Sequence, residues 1–509
     1  MEATAQQAAI ESADCAGADH VAGDKSTGVR VAQNTLAVLA GRGLGLVFGA
    51  LASVVLTRHL GVERLGEYGA IYAFASMFIW LASAGLAPVV SREAAQRRDE
   101  AGSIFFTGIG VCAAASILTL VLVLLTAPAG RLGGRFLPLL VIASVEVLLL
   151  TPARLPGLIF QVDLRQWYES AFSVARQGLW LGLVLVLYWQ GAPLIYVVLG
   201  RLGVAVVEAG LLWHYGTKFL APPRRFLMPV ARTLVRSGAV IAITALASTV
   251  YLRIDQVMLH AMAGDRALGV YVAAVRISEL FEALPAALGA TMFPLLCAAN
   301  GDPGTFNRYL DMTFRILIVA AAMICVAIAA GAPSLVALLY GSAFQASATL
   351  LSFLIWSEIA IFFNAVVFIA LVALRLEGYL ILATVVGAAI NVGLNALLIP
   401  RWGAMGSVWA TLAAYTTAWM VVLLLFSRTR PVIWRGLRVT LPATALACIA
   451  SLAATLLPVN GWLRMVLAMM LFGAGATMFR LVQRSDLDYA RDAVTQVWAA
   501  VGRRMEKTT

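Results

Sequence analysis

The chain has 509 residues, of which 61% are hydrophobic and only 12% charged, with a mean hydropathy of +0.89. A soluble chain of this length carries roughly twice that share of charge, so a soluble enzyme is excluded. The formal net charge of +11 therefore needs a positional explanation before any nucleic-acid partner is considered.

In chain order, residues 1–33 are polar and Ala-rich, with no apolar core and no cleavage site; they read as a disordered cytoplasmic tail, not a signal peptide. Fourteen apolar segments follow. They start near Asn34, Tyr68, Gly102, Phe136, Ser170, Pro193, Ser237, Ala267, Ile316, Ala346, Tyr379, Gly403, Leu437 and Gly461. Two of them, within 102–130 and 402–427, contain no charge at all. A hydrocarbon core of about 30 Å needs about 20 such residues per helix. The predicted fold class is an all-α polytopic membrane protein with about fourteen transmembrane helices. At the C-terminus, Leu487, Ala490, Val494, Val497, Trp498 and Val501 share one helical face opposite basic residues. That pattern predicts a helix lying on the inner leaflet within 484–509.

The cysteines (Cys15, Cys112, Cys297, Cys325 and Cys448) are isolated and the four histidines scattered, so neither a disulfide frame nor a metal site is supported. With the N-terminus inside, the inner loops and tails hold 24 cations and the outer loops only 7. This is the skew of the positive-inside rule. The basic charge is mostly topology.

Six cations remain inside spans, all arginine: Arg42, Arg154, Arg176, Arg201, Arg253 and Arg276. Six acids accompany them: Glu146, Glu208, Asp255, Glu279, Glu282 and Glu358. Each charge at mid-bilayer costs roughly 2.5–3.5 kcal/mol, so such groups face a bundle interior or a wet cavity. Arginine stays charged and grips phosphate or carboxylate oxygens with a planar fork.

"GVERLGEYGA" (61–70) and "GDRALGVYVA" (264–273) align without a gap and share five of ten positions. Six spans separate the copies, so both have the same orientation. Two parallel six-helix halves are the expectation: a first lobe over 34–215, a basic linker over 216–236, and a second lobe over 237–427. The extra pair of helices falls within 437–483. Two lobes about a central cavity suit alternating access. A membrane glycosyltransferase or polymerase needs an exposed catalytic loop, and the longest outer loop is about a dozen residues. No GxxxxGK[ST] motif occurs, so ATP is not the direct energy source.

Three blocks then carry a family resemblance. They are "NTLAVLAGRGLGLVFGALASVVLTRHLGVERLGEYGAIYAF", "LRIDQVMLHAMAGDRALGVYVAAVRISELFEALPAALGATMFPLL" and "NVGLNALLIPRWGAMGSVWATLAAY". Together they resemble bacterial O-antigen-type polysaccharide flippases of the multidrug/oligosaccharidyl-lipid/polysaccharide exporter superfamily, over roughly residues 30 to 430. The resemblance implies fourteen helices and movement of undecaprenyl-pyrophosphate-linked oligosaccharide from the inner to the outer leaflet, with no enzymatic step. It also implies a multi-pass protein of the cytoplasmic membrane with both termini inside, and a polysaccharide polymerase as a partner. Related lipid II flippases carry a substrate-gripping arginine in an R-x-L-G stretch of the first helix, which Arg42 matches. Their second arginine has no counterpart here, where the chain reads "LVF". In those relatives the last two helices line a groove for the polyprenyl tail.

Helix rise places Arg253 and Arg276 each about 14 Å below the outer ends of their spans, and Arg42 about 12 Å from the inner end of its own. With Arg42 they are the candidate pyrophosphate ligands. The structural alternative is ion pairing. Arg253 and Asp255 are about 200° apart around a helix and do not meet. Arg253 with Glu279 and Arg276 with Asp255 is the expected inter-helix quartet, and Arg276 with Glu279 is a further pairing along one face. Asp255 and Glu279 are the candidate ion-coupling acids. No cofactor is expected, and a proton or sodium gradient is the candidate driving force. Arg154, Arg176, Arg201 and Glu208 are candidates to line a cavity for sugar. Asn391 and Asn395, four apart, read as interhelical hydrogen-bond glue. A drug or cation antiporter of the same superfamily is the alternative function; six intramembrane arginines count against it.

Overall fold

A computed structural model describes residues 25–481 apart from 164, 221 and 223, with side chains from Gly41 onward apart from Arg42. The tail over 1–24 and the amphipathic stretch over 484–509 lie outside the described residues. Among the described residues the chain is helical, with no strand.

Twelve helices are long and apolar enough to cross a membrane, and a bent pair, Ser342–Leu354 with Ser357–Ala373, makes a thirteenth. The second expected segment begins in the helix Lys25–Met77, which leaves helical geometry at Gly61 (φ 66°, ψ −177°), and continues through the short helices Ile79–Ala82 and Leu86–Gln96. Each of the fourteen expected starts lies in or beside a helix, but at most thirteen membrane-crossing helices are present among the described residues. Four starts differ from expectation, the ninth span beginning at Pro303 rather than near Ile316 and the thirteenth at Arg430 rather than near Leu437. The first helix starts at Lys25 rather than near Asn34. The seventh starts at Met228 rather than near Ser237, because Pro229 in its first turn suits a helix start and draws Arg232 and Arg236 into the helix. The basic linker is correspondingly shorter than 216–236.

Gly61 and Gly264, at the same position of the two repeat copies, both take positive φ, 66° and 85°. Only glycine reaches that region without steric cost, so each copy turns the chain between two spans there.

Two compact units are distinguished. The first holds the described residues up to Leu280, with Val336–Leu350 and Ile381–Ala414. Its buried core includes Leu86, Val90, Phe105, Phe160, Leu212 and Leu234. The second holds Phe281–Leu335, Leu351–Leu380 and the described residues from Tyr415. Its core is built largely from alanines on the ninth, thirteenth and fourteenth spans, among them Ala322, Ala447, Ala450 and Ala468, closed by Phe472. Small side chains let helices approach where lipid gives no hydrophobic drive between them. Large residues such as Leu118, Leu125 and Trp189 stay exposed on the outer faces, as a lipid-facing surface requires.

Candidate functional site

Glu146, Arg154, Arg276, Glu279, Glu282 and Glu358 sit at or beside span interruptions, whereas Arg176, Arg201, Glu208, Arg253 and Asp255 lie on continuous helices. The fourth span, Gly134–Val162, contains a π turn at Val145–Leu149 and a 3-10 turn at Leu155–Leu158. Pro152 and Pro156 fall in the same stretch, and each removes a backbone donor from the ladder. Glu146 and Arg154 lie in this interrupted part. The eighth span breaks at a 3-10 turn, Glu279–Glu282, directly after the helix Asp265–Ser278 that carries Arg276. In the second unit, the tenth span bends by 45° beside the fully buried Glu358. The fourth and tenth spans are six apart in chain order, as are the spans that precede the two copies of the repeat at 61–70 and 264–273. Interrupted spans at corresponding places are where transporters of repeat architecture build binding sites.

Within the first unit, two clusters use the fourth to sixth spans. Glu146 accepts from Arg201 Nε at 2.9 Å and from the Tyr72 hydroxyl at 2.6 Å. Arg201 also donates to the Tyr68 hydroxyl, and its guanidinium lies 4.1 Å from the Tyr72 ring centroid. Glu208 sits between two cations, Arg176 Nε at 2.9 Å and Arg154 Nη2 at 3.4 Å. Arg201 and Glu208 share a helix yet belong to different clusters. The four candidate sugar-lining residues are thus brought into ion pairs, with three arginines against two glutamates.

A second set joins the seventh and eighth spans. Arg253 Nη1 donates to Glu279 Oε1 at 2.9 Å, so half of the expected quartet is present. The other half is not. Asp255 is buried and accepts from the Tyr271 hydroxyl and from the Gln256 backbone N–H at 2.8 Å. Tyr271 also lies 3.5 Å from Thr411 Oγ1. With Asp255 satisfied by the phenol, Arg276 takes neutral partners instead: Ser53 Oγ at 3.0 Å and the Tyr68 ring face at 5.5 Å. The expected pairing of Arg276 with Glu279 along one face is likewise absent. The side chain of Arg42 lies outside the described residues. Asn391 and Asn395 bond to each other within one helix, Asn395 Nδ2 donating to Asn391 O and Oδ1 at 2.9 Å. The interhelical glue read from their spacing is not what these bonds make: the four-residue spacing takes up the Asn395 Nδ2 within its own helix, while its buried Oδ1 has no hydrogen-bond partner among the described residues.

Sequence reading missed Ser53, Tyr68, Tyr72 and Tyr271. Ser53 and Tyr72 are neutral residues in apolar helices and give no signal. Tyr68 and Tyr271 did give one, since they are the tyrosine shared by the two repeat copies.

The multi-pass helical fold is one shared with solved structures of membrane flippases and transporters. The fold aligns with the lipid II flippase MurJ in its inward closed conformation at a TM-score of 0.69 and 12% identity, over 88% of this chain and 99% of that one. An inward-facing multidrug resistance MATE family transporter of the MOP superfamily aligns at 0.59 and 16% identity, over 79% and 99%. A MOP superfamily transporter from Pyrococcus furiosus, described as having a binding pocket of reverse polarity, aligns at 0.53 and 14% identity, over 80% and 95%. No curated protein sequence matches. The sequence profile described as "Polysaccharide biosynthesis protein" matches residues 31–299, more than half of the chain, and the chain belongs to that family.

Proposed function

We propose that this protein moves a polyprenyl-pyrophosphate-linked oligosaccharide, of the undecaprenyl type, from the inner to the outer leaflet of the cytoplasmic membrane by alternating access. The route serves export of a surface polysaccharide such as an O-antigen or exopolysaccharide. The observation that carries the reading is Arg276. It is an intramembrane cation at a span interruption whose partners are a hydroxyl and an aromatic face. A charge left without a carboxylate inside a membrane protein has a task for an anion, and a diphosphate supplies two or more negative charges. Arg253, held by Glu279, is the second ligand, and Arg42 on the first helix the third. Arg154, Arg176, Arg201 and Glu208 line the path of the sugar.

The two repeat halves work as lobes, with both termini on the cytoplasmic side. Helices 13 and 14 accommodate the polyprenyl tail, and a polymerase acts on the delivered lipid. Asp255 and Glu279 are the acids through which a proton or sodium gradient drives the cycle.

Native mass spectrometry of the purified protein, beside Arg253→Ala, Arg276→Ala and their combination with Arg42→Ala, tests the reading. The expected result is a co-purified polyprenyl-pyrophosphate species in the wild type that the triple variant loses. Lipid retained by the triple variant places these arginines among structural residues. No such lipid in either sample removes the proposed substrate.

A further inference from the structure

The four other intramembrane arginines with described side chains (Arg154, Arg176, Arg201 and Arg253) are each held by a glutamate within 3.4 Å. Arg276 differs: among the described residues its hydrogen-bond and ring partners, Ser53 and Tyr68, are neutral, and it also interacts with the Tyr340 phenol. An arginine locked on a carboxylate must break that pair before it can hold an anionic ligand. One seated on a π face keeps its full charge and its outward N–H groups. A guanidinium within about 6 Å of a ring centroid gains from the quadrupole of the ring without being neutralised by it.

The seat itself is held rigidly. Tyr68 is 2% exposed. Its hydroxyl accepts from Arg201, which Glu146 holds at 2.9 Å. Its ring lies 4.6 Å, centroid to centroid, from that of Tyr72. The Tyr72 hydroxyl donates to the same Glu146 at 2.6 Å. Both ends of the Tyr68 side chain are therefore fixed through one carboxylate on the interrupted fourth span. We propose that Tyr68 is a positioning residue for Arg276, presenting its guanidinium un-neutralised to the diphosphate of the substrate. The proposal rests on the diphosphate reading given above.

The repeat supports the assignment by contrast. Tyr271 is the copy of Tyr68 in the second half, and its hydroxyl donates to buried Asp255. One tyrosine of the pair faces a cation with its ring, and the other caps a carboxylate with its hydroxyl. The same position in the duplicated unit has thus been turned to opposite charges, with the cation-facing copy beside the proposed ligand.

The test uses the full chain in nanodiscs, comparing wild type, Tyr68→Phe, Tyr68→Leu and Arg276→Ala. Two readouts are taken: calorimetric titration with inorganic pyrophosphate, and the rate of phenylglyoxal modification at Arg276 followed by peptide mass spectrometry. Tyr68→Phe keeps the ring but loses the hydroxyl tether to Arg201, and is expected to fall nearer to wild type than to Tyr68→Leu in both. Tyr68→Leu is expected to bind pyrophosphate about 3- to 30-fold more weakly, the range a lost cation–π contact gives, and to expose Arg276 to faster modification. Should Tyr68→Leu not fold, Tyr68→Met replaces it. Equal modification rates in wild type and the aliphatic variant overturn the role of Tyr68. An equal loss of binding in Tyr68→Phe and the aliphatic variant overturns it too, because the hydroxyl rather than the ring is then at work. A shifted modification rate, with pyrophosphate binding indifferent to Arg276→Ala, supports the seat and overturns the diphosphate reading instead.

Discussion

Gly66 and Gly269 stand at the same position of the two repeat copies, and each lies against the backbone of the other copy. A Cβ on Gly66 falls 1.9 Å from the carbonyl oxygen of Asp265, and one on Gly269 falls 1.8 Å from that of Val62. Val62 and Asp265 are themselves repeat equivalents, so the contact has pseudo-two-fold symmetry. Arg135 spans the same seam, 3.3 Å from Glu67 Oε1 and 3.1 Å from Asp265 Oδ2.

Alanine at either glycine therefore meets a backbone carbonyl, which cannot move aside as a side-chain tip can. Gly66→Ala and Gly269→Ala are each expected to destabilise this packing by about 1–3 kcal/mol, the usual cost of overpacking. Once one methyl has parted the hairpins, the second meets open space. The double variant should accordingly cost clearly less than the sum of the singles. Thermal unfolding of the detergent-solubilised protein reads both effects. Strict additivity would show that the two glycines do not share one seam.

Glu208 sits between Arg154 and Arg176, and this arrangement predicts a different non-additivity. Removing one arginine leaves the glutamate with the other, so Arg154→Ala or Arg176→Ala alone is expected to cost about 1 kcal/mol. Removing both strands a carboxylate whose side chain is 14% exposed, at about 3–5 kcal/mol. Adding Glu208→Gln to the double variant should recover most of that loss. Without that recovery in the thermal midpoint, the arginines act on the fold by some route other than this carboxylate.

Most of the spans were legible because apolar run length is a strong signal, and even the bent tenth span kept its composition. The Gly61 turn was legible through the repeat. Boundaries moved where a proline started a helix earlier than the charge pattern suggested, as at Pro229. Within the site, charge alone identified which residues had to be partnered but not with whom. Arg253 with Glu279 followed from adjacency. Arg276 with Asp255 failed because a neutral phenol, Tyr271, took the carboxylate, and neutral partners leave no trace in a charge count. The interruption of the fourth span was foreshadowed by Pro152 and Pro156, yet hydropathy reads straight through such a break.

One predicted effect lies outside the spans. Asp302 precedes the helix Pro303–Tyr340; its Oδ1 accepts from the Gly304 N–H at 2.9 Å and its Oδ2 from the Thr305 hydroxyl at 2.6 Å. These bonds, the Thr305 hydroxyl first, favour the ionised carboxyl and hold its pKa below the ordinary 3.8. A carboxyl depressed on folding contributes stability that is present above 3.8 and is lost as pH falls through its lower folded value. Asp302→Asn should accordingly speed hydrogen exchange at the start of this helix at neutral pH. The difference from wild type is expected to shrink once pH drops below 3.8. A difference that stayed constant with pH would mean the bonds do not depend on the charge.

Asp255 and Glu279 make the last prediction, which concerns the driving force. Asp255 is 6% exposed and held by the Tyr271 phenol and a backbone N–H; Glu279 holds Arg253. Asparagine and glutamine keep the volume and most of the hydrogen-bonding capacity of these acids while removing their ability to exchange a proton or attract a cation. In proteoliposomes, the Asp255→Asn/Glu279→Gln variant is expected to lose the response of lipid flipping to an imposed proton or sodium gradient. Tyr271→Phe should leave that response in place while lowering stability by about 1–3 kcal/mol, since it withdraws one donor from a buried acceptor. The two effects separate the chemistry of the carboxylate from the packing around it. Flipping that still follows the gradient in the double variant moves the coupling site away from these spans, and leaves Asp255 a structural acceptor for the repeat tyrosine.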